Sequence, residues 1–424
     1  MSERNGDNKV GIVQVGMGPG GTGFVLAAER MGKIATLKAS GFLVLERAPQ
    51  REVGIGYLQF FPGVDTNSHG GHLTDQLSRE VQAALAQTAE GKRIQEQSSS
   101  PVKLSDAIGL QRQKGGVVRD LLGGSLRTGV DVISLMEFKN HGGPEYWAID
   151  QYGRMAARSD IVILSTGAEE RIDPELNNDS LKGKTLLSKD ILGNGQDVKK
   201  NHQRLAKARN VVIVGASHSG GLAAKLALEQ SGAQVKLLSR GEVAIHSPSK
   251  EEAEAAGLEV TAAALADDPD GIQPWRFKGS RGDARDTLIR IINGEEPRAS
   301  LSKGSYGDFE TELAEADIIL QCTGLKWRGL PIIRENNWIE PAAYQQSGGR
   351  VAITPEGNPY VMNEKGVFAP EERVFVVGMG SYRLDGGPNP HAINFYEGII
   401  GEARVNAVLA ASTSIQERQS ILLR

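Results

Sequence analysis

The sequence predicts an α/β protein of two dinucleotide-binding, Rossmann-like domains. Three observations carry this reading. A β-branched run, KVGIVQV, leads into the glycine turn GMGPGGTG, then the helical FVLAAERMG and a second strand, GFLVLE. The same order returns as RNVVIVG, ASHSGG, LAAKLALEQSGA and QVKLLSR. Two apolar strands end alike, SDIVILSTG at 159–167 and ADIILQCTG at 316–324, and a last strand, RVFVVG, covers 373–378. Strand, glycine turn, helix and strand is the grammar of a nucleotide-binding unit.

Composition bounds the alternatives. At 424 residues the chain favours two or three folded units. Apolar residues at 39% and charged residues at 24% exclude a disordered chain. A net charge of −4 supplies no general field for nucleic acid or an anionic membrane. No apolar run approaches the roughly 18 residues of a membrane span. The polar start, MSERNGDNK, lacks the apolar stretch of a signal peptide, so a cytoplasmic protein is expected. Cys322 is the one cysteine, which excludes an intrachain disulfide and a Cys-x-x-Cys redox pair. It reads as a buried strand residue. The sequence shows no His-x-x-x-His and no clustered Cys ligands for a metal.

Between the two units the signals are weaker. Residues 51–75 are loop-rich, 76–95 read as helical, and SSSP at 98–101 is a break. GVDVISLMEF and EYWAIDQ read as strands joined by a Gly/Pro turn at 142–144. Within 241–310, ADDPDG and FKGSRGDAR read as solvated surface segments.

In the first unit Gly16, Gly18 and Gly21 form G-x-G-x-x-G. The first permits the tight turn, the second lets a pyrophosphate approach the backbone, and the third lets helix and strand pack. Gly20 adds another position without a side chain. The helix start offers free N–H groups and the positive end of its dipole. Glu46 closes the second strand 30 residues after Gly16, with Arg47 beside it. A carboxylate there accepts hydrogen bonds from a ribose diol and repels a 2′-phosphate. The bland reading, a glycine turn without a ligand, leaves that acid unexplained.

In the second unit Gly215, Ser217, Ser219 and Gly220 form G-x-S-x-S-G, and Arg240 follows 25 residues after Gly215. Serine hydroxyls can donate to phosphate. A guanidinium in place of the acid matches a 2′-phosphate, so NADPH is expected over NADH. The alternative for Arg240 is a surface salt bridge. His218 reads as a solvent-facing filler.

With both turns placed, the chain resembles the class B flavin monooxygenases. These include the flavin-containing monooxygenases, the Baeyer–Villiger monooxygenases and the amine N-hydroxylases of siderophore pathways. VGIGYLQFF at 53–61 is similar to the family's Gly-Gly-x-Trp stretch, with Gly56 and Tyr57 at the matching places. Asn67, in DTNS, resembles the family Asn near the reactive edge of the flavin. Thr166–Gly167 and Thr323–Gly324 match the linker motifs, and GASHSG the second turn. NPHAINFYEGIIGEARVNAVL resembles the C-terminal segment of the N-hydroxylases. One stretch departs: where the family has Phe-x-Gly-x-x-x-His-x-x-x-aromatic, Leu181, Gly183, Leu187 and Ile191 occupy the four positions. This departure argues against the Baeyer–Villiger subtype.

The resemblance implies FAD in the first unit and NADPH in the second. It implies that the NADPH domain is inserted in the FAD domain: an FAD-binding part at 1–180, an NADPH-binding domain at 181–325 and an FAD-binding C-terminal part at 326–424. It implies a C4a-(hydro)peroxyflavin that oxygenates a small nucleophile, with N-hydroxylation of an amine or amino acid favoured. Substrate and O₂ are then the partners, with no nucleic acid or membrane, and a homo-oligomer suits the family. Asn67 is the candidate catalytic group; its alternative is a loop Asn bonding its own backbone. Tyr57, Thr166, Gly167, Gly378 and Asp385 join the two turns as candidate cofactor contacts. His69, His72 and His391 are candidates near the substrate, with surface or helix-start roles as alternatives. Trp275 and Phe277 are candidates for specificity or for core. Two rival functions remain: an NADPH-dependent flavin reductase or oxidase without oxygen insertion, and a non-catalytic nucleotide-binding scaffold.

Overall fold

A computed structural model describes residues 9–55, 65–98, 101–140, 143–193, 196–247, 249–258, 279–334, 337–339, 344–347, 350–362, 366–378, 381–383 and 397–422. Two sheets organise the chain. The first unit opens with β1 (Lys9–Val15), α1 (Pro19–Arg30), α2 (Ile34–Ala39) and β2 (Phe42–Glu46). Next come β3 (Asp65–His69), α3 (Arg79–Ala86), α4 (Ala89–Glu96), β4 (Pro101–Lys103) and α5 (Leu104–Leu122). Then follow β5 (Leu126–Thr128), β6 (Val132–Asn140), β7 (Gly143–Asp150), β8 (Met155–Leu164) and β9 (Ala168–Glu169).

β1 lies parallel between β2 and β8, and β5 extends the sheet beyond β2. The other edge of β8 is shared. Its first half pairs antiparallel with β7, and Val162–Leu164 pair parallel with the strand Val374–Val376. The chain rejoins this sheet at Ile332–Arg334, which pairs parallel with β6, and returns to β8 itself more than two hundred residues after leaving it. Alternate side chains divide between two faces, as the strand period requires. Ile12, Val44, Ile161, Ile163 and Phe375 pack under α1, α5 and the C-terminal helix Ile399–Leu422. Val13, Leu43, Val162, Val374 and Val376 pack instead with Tyr146, Trp327 and Tyr344. Burial on both faces explains why β1 and β2 read as continuous apolar runs.

The second sheet is parallel throughout. It is built from β10 (Thr185–Leu187), β11 (Asn210–Val214), β12 (Gln234–Ser239), β13 (Ala299–Lys303) and β14 (Ile318–Gln321) in the order 10-14-11-12-13. α6 (Lys189–Leu192), α7 (Gln196–Leu205), α8 (His218–Gln230) and the helix Gly282–Ile292 cover one face. All five strands fall between β9 and β15 (Lys326–Trp327), which pair antiparallel through Glu169↔Lys326 and Ala168↔Trp327. The chain leaves for the second sheet and returns from it side by side.

Two sequence expectations are corrected. The helical stretch 76–95 is two helices, because the Thr88 hydroxyl caps α4 by accepting from the Gly91 N–H at 3.0 Å. The tail of FKGSRGDAR is not a solvated segment. Ser280, Arg281 and Ala284 are buried, and a Cβ on Gly221 of α8 would lie 2.7 Å from the Ala284 carbonyl. Small residues permit that helix contact, and the basic residues around them disguised it. The sequence also hid α5, whose buried face carries Gln111, Lys114 and glycines where an apolar stripe would be expected. Among the described residues, no helix is long and apolar enough to cross a membrane.

Lys114 explains how α5 serves the fold. Its ammonium is fully buried and donates to the Leu73 carbonyl and to Glu397 Oε1, each at 2.6 Å. It joins α5, the segment after β3, and the approach to the C-terminal helix. Burial pushes the Glu397 carboxyl up, against the pull of the Lys114 charge. Removing one partner strands the other charge in the interior, whereas removing both does not. Lys114→Met should therefore destabilise by about 3–5 kcal/mol, and Lys114→Met with Glu397→Leu should recover most of the loss. Urea unfolding of both variants measures this.

Candidate functional site

The two glycine turns have the same construction. Gly16 and Gly215 both lie in the left-handed region, at φ 94° and 102°. A Cβ on either would sit 2.4 Å from a carbonyl oxygen, of Ser165 under Gly16 and of Cys322 under Gly215. The Gly16 N–H donates to Leu45 O, and the Gly215 N–H to Leu238 O, each at 2.8 Å. At the third glycine of each motif, a Cβ on Gly21 would lie 2.6 Å from Gly16 O, and one on Gly220 1.9 Å from Gly215 O. The helix starts are alike too. Gly18 caps α1 and Ser217 caps α8, both in extended backbone and neither with a side-chain cap bond. The leading N–H groups of both helices stay available to an anion. This cradle suits a pyrophosphate at each turn.

The first turn is bordered by Gly378, just past the returning strand. A Cβ on Gly20 would lie 2.6 Å from Gly378 Cα, so the last strand closes on the turn backbone to backbone. Glu46 is buried at the end of β2 and points into the turn. It accepts from the Met17 N–H and, at 2.7 Å, from the Ala48 N–H. A carboxylate offers about four lone-pair positions, so about two remain for a ribose diol. Arg47 beside it is exposed.

The second turn opens on a cavity of 510 Å³. Its walls bring together Ser217, Ser219, Arg240 and Thr323, as well as Tyr306. His218, expected as a solvent-facing filler, is half-buried and lines this cavity. Arg240 is exposed, with Tyr306 near enough to feel its charge. Glu242 lines the same cavity but is held by Lys303 at 2.6 Å. Cys322 is buried in the floor, and burial pushes its thiol up, which suits an inert packing residue.

Thr166 and Gly167 stand at the crossing. The Thr166 hydroxyl donates to Arg328 O, and the Arg328 N–H donates to Gly167 O at 3.0 Å. Thr166 also lies under Gly16, so one residue borders both the turn and the connection. Leu181, Leu187 and Ile191, which replace the family fingerprint, are buried. Asn67 and His69 lie on β3, which pairs with β4 through Asp65↔Lys103 and His69↔Pro101. Their side chains, and that of His72, are outside the described residues, as are Tyr57, Trp275, Phe277, Asp385 and His391. Asp173 and Tyr306 were missed by sequence reasoning. A motif scan has no signal for a tyrosine between strands or an acid in a connection.

No protein-family model matches the sequence, and no curated protein matches it either. Solved structures do match in shape. An L-lysine 6-monooxygenase from Pseudomonas syringae superposes at a TM-score of 0.57 and 15% identity, over 96% of this chain and 99% of that one. An ornithine N-hydroxylase of Kutzneria sp. 744, with reduced FAD, NADP+ and L-ornithine, gives 0.55 and 13% over 97% of this chain and 100% of that one. A cadaverine monooxygenase of desferrioxamine biosynthesis from Erwinia amylovora, bound to FAD, gives 0.54 and 12% over 95% and 93%. At these identities the likeness shows a shared fold along nearly the whole chain, the α/β fold expected from the sequence.

The close approach at the second turn makes a sharp prediction. A Cβ at Gly220 has no room, whereas nothing lies within 4 Å of one at Gly183. Gly220→Ala should destabilise by about 1–3 kcal/mol and displace the turn. Gly183→Ala should be nearly neutral. Urea unfolding compares the two.

Proposed function

We propose that the chain is an NADPH-dependent FAD monooxygenase that oxygenates a small nucleophile, most directly by N-hydroxylation of an amine or amino acid. One observation carries the proposal: two turns of the same construction end in opposite charges, Glu46 at the first and Arg240 at the second. FAD has no 2′-phosphate and suits an acid, whereas NADPH has one and suits a guanidinium. The shared fold supports the choice of reaction, since the similar structures bear the names of an ornithine N-hydroxylase, an L-lysine 6-monooxygenase and a cadaverine monooxygenase.

When bound, FAD would take hydride from NADPH and activate O₂ for transfer of one oxygen atom. The balance is R–NH₂ + O₂ + NADPH + H⁺ giving R–NHOH + H₂O + NADP⁺. The chain's own tasks are then to bind, orient and exclude water. Gly16, Gly18, Gly20 and Gly21 would seat the FAD pyrophosphate on the start of α1, and Glu46 would hold the adenosine ribose. Gly378 would close that turn from the returning strand. Gly215, Ser217, Ser219 and Gly220 would seat the second pyrophosphate, with Arg240 on the 2′-phosphate. Asn67 is proposed to orient nicotinamide or substrate beside the flavin, with Tyr57 and Asp385 as further contacts. The proposal extends to a cytoplasmic location and a homo-oligomeric assembly.

The test is a product balance. FAD-loaded protein, NADPH and air should yield one hydroxylamine per NADPH with at least one member of a panel of diamines and basic amino acids. NADPH converted wholly to peroxide with every amine would favour the reductase or oxidase reading. A protein whose flavin NADPH cannot reduce would be a scaffold. Arg240→Glu should weaken NADPH binding by at least about 10–100-fold, the worth of one charge-assisted hydrogen bond with carboxylate repulsion added, and leave NADH binding unchanged or tighter, because the new carboxylate can accept from the ribose diol. Anaerobic flavin-reduction titrations with both nucleotides read this out.

A further inference from the structure

Asp173 lies on the outgoing connection, just past β9. Its carboxylate is nearly buried, at 7% residue exposure. Three parts of the molecule meet on it. The Tyr306 hydroxyl donates to Oδ2 at 2.6 Å, and the Lys326 ammonium donates to Oδ1 at 2.5 Å. The Asp173 N–H donates to Gln321 Oε1 at 2.9 Å, and the Gln321 amide donates onward to Arg171 O and to the Thr323 hydroxyl.

The positions of these partners give the cluster its meaning. The Tyr306 ring and Thr323 are walls of the second cavity. Lys326 is on β15, the returning connection. The next residue, Trp327, is buried in the first unit, edge-on to Tyr344 with ring centroids 4.9 Å apart. A continuous route thus runs from the cavity wall, through Asp173, into the core of the first unit. The ladder joining the two connections is only two residue pairs long. Charge-assisted hydrogen bonds are roughly twice as strong as neutral ones. The bonds on Asp173 therefore add to those between Thr166, Gly167 and Arg328 in fixing this crossing.

We propose that Asp173 is a positioning residue. It holds the Tyr306 ring against the second cavity and ties that wall to both connections, so a dinucleotide seated there stiffens the crossing and fixes the inserted unit for hydride delivery. This rests on reading the cavity as a pyridine-nucleotide site. A ligand against the Tyr306 ring removes the ring's freedom to swing, and the phenol stays on Asp173. Without that bond the ligand can still bind, but its presence is no longer felt at Lys326.

Amide hydrogen exchange on the FAD-loaded full chain, with and without NADP+, tests this. In the wild type NADP+ should slow exchange at 166–173 and 324–328. Tyr306→Phe loses only a hydroxyl. It should keep NADP+ affinity within about tenfold by calorimetry, the most that one neutral hydrogen bond carries, yet lose the slowing. Lys326→Met, on the connection, should lose the slowing as well. In both variants flavin reduction at saturating NADPH should fall about tenfold or more, because reacting atoms are then less well held. Slowing that persists in both variants overturns the coupling and leaves the nucleotide reading standing. A wild type that shows no NADP+ binding in the calorimeter removes the nucleotide reading, and the coupling with it.

Discussion

The structure depends on two places where a carbonyl oxygen occupies the space of a side chain. At Gly16 and Gly215 the backbone turns through the left-handed region directly over the end of a neighbouring strand. Any other residue would meet strain in φ and a clash with that carbonyl. With glycine in place, the end of one strand, the turn and the start of a helix share one small volume. The helix is left with uncapped N–H groups pointing outward. Phosphate is the chemistry such a place suits, because donors and dipole act together.

What separates the two places is the residue closing each following strand. Glu46 is buried and already committed to two backbone donors, so its orientation is fixed before any ligand arrives. Arg240 is exposed at the mouth of its cavity. A buried acid gives a rigid, weakly salt-sensitive ribose contact, whereas an exposed guanidinium gives an attraction screened within about 8 Å at physiological salt. On the proposed assignment, the first site would suit a resident cofactor and the second a ligand that comes and goes.

Legibility in the sequence followed backbone constraint. Both turns, the strands around them and the closing charges could be read because glycine is needed where the backbone is left-handed or crowded, and each turn lies between apolar strands of which the second ends at or just before a charged residue. Cys322 was legible as core because the apolar run Ile318–Leu320 leads up to it, although it lies just past β14 and not within the strand expected. The helix α5 was not, because Lys114 and Gln111 face inward, and a buried charge breaks the pattern that marks a buried face. The burial of Ser280 and Arg281 was equally hidden, since polar residues just ahead of a helix look like a loop. Asp173 and Tyr306 are 133 positions apart in the chain, and only the folded connection brings them together.

The crossing gives those two residues their importance. A unit inserted in another is tethered twice, and two tethers side by side permit a hinge but little twist. How freely the hinge moves depends on the bonds across it. Burial alone would raise the Asp173 carboxyl, but the hydrogen bonds from Lys326 and Tyr306 and the Lys326 charge outweigh it and hold the group below the usual aspartate range. Asp173 therefore stays charged throughout the neutral range, and its hold on both partners does not lapse with small changes in pH. The Tyr306 hydroxyl is held well above its ordinary value by burial and by that same carboxylate, so it remains a donor. On the proposal made for Asp173, a persistent bond with one end in a cavity wall and the other beside a packed core would let occupancy of the cavity govern how firmly the second unit is held.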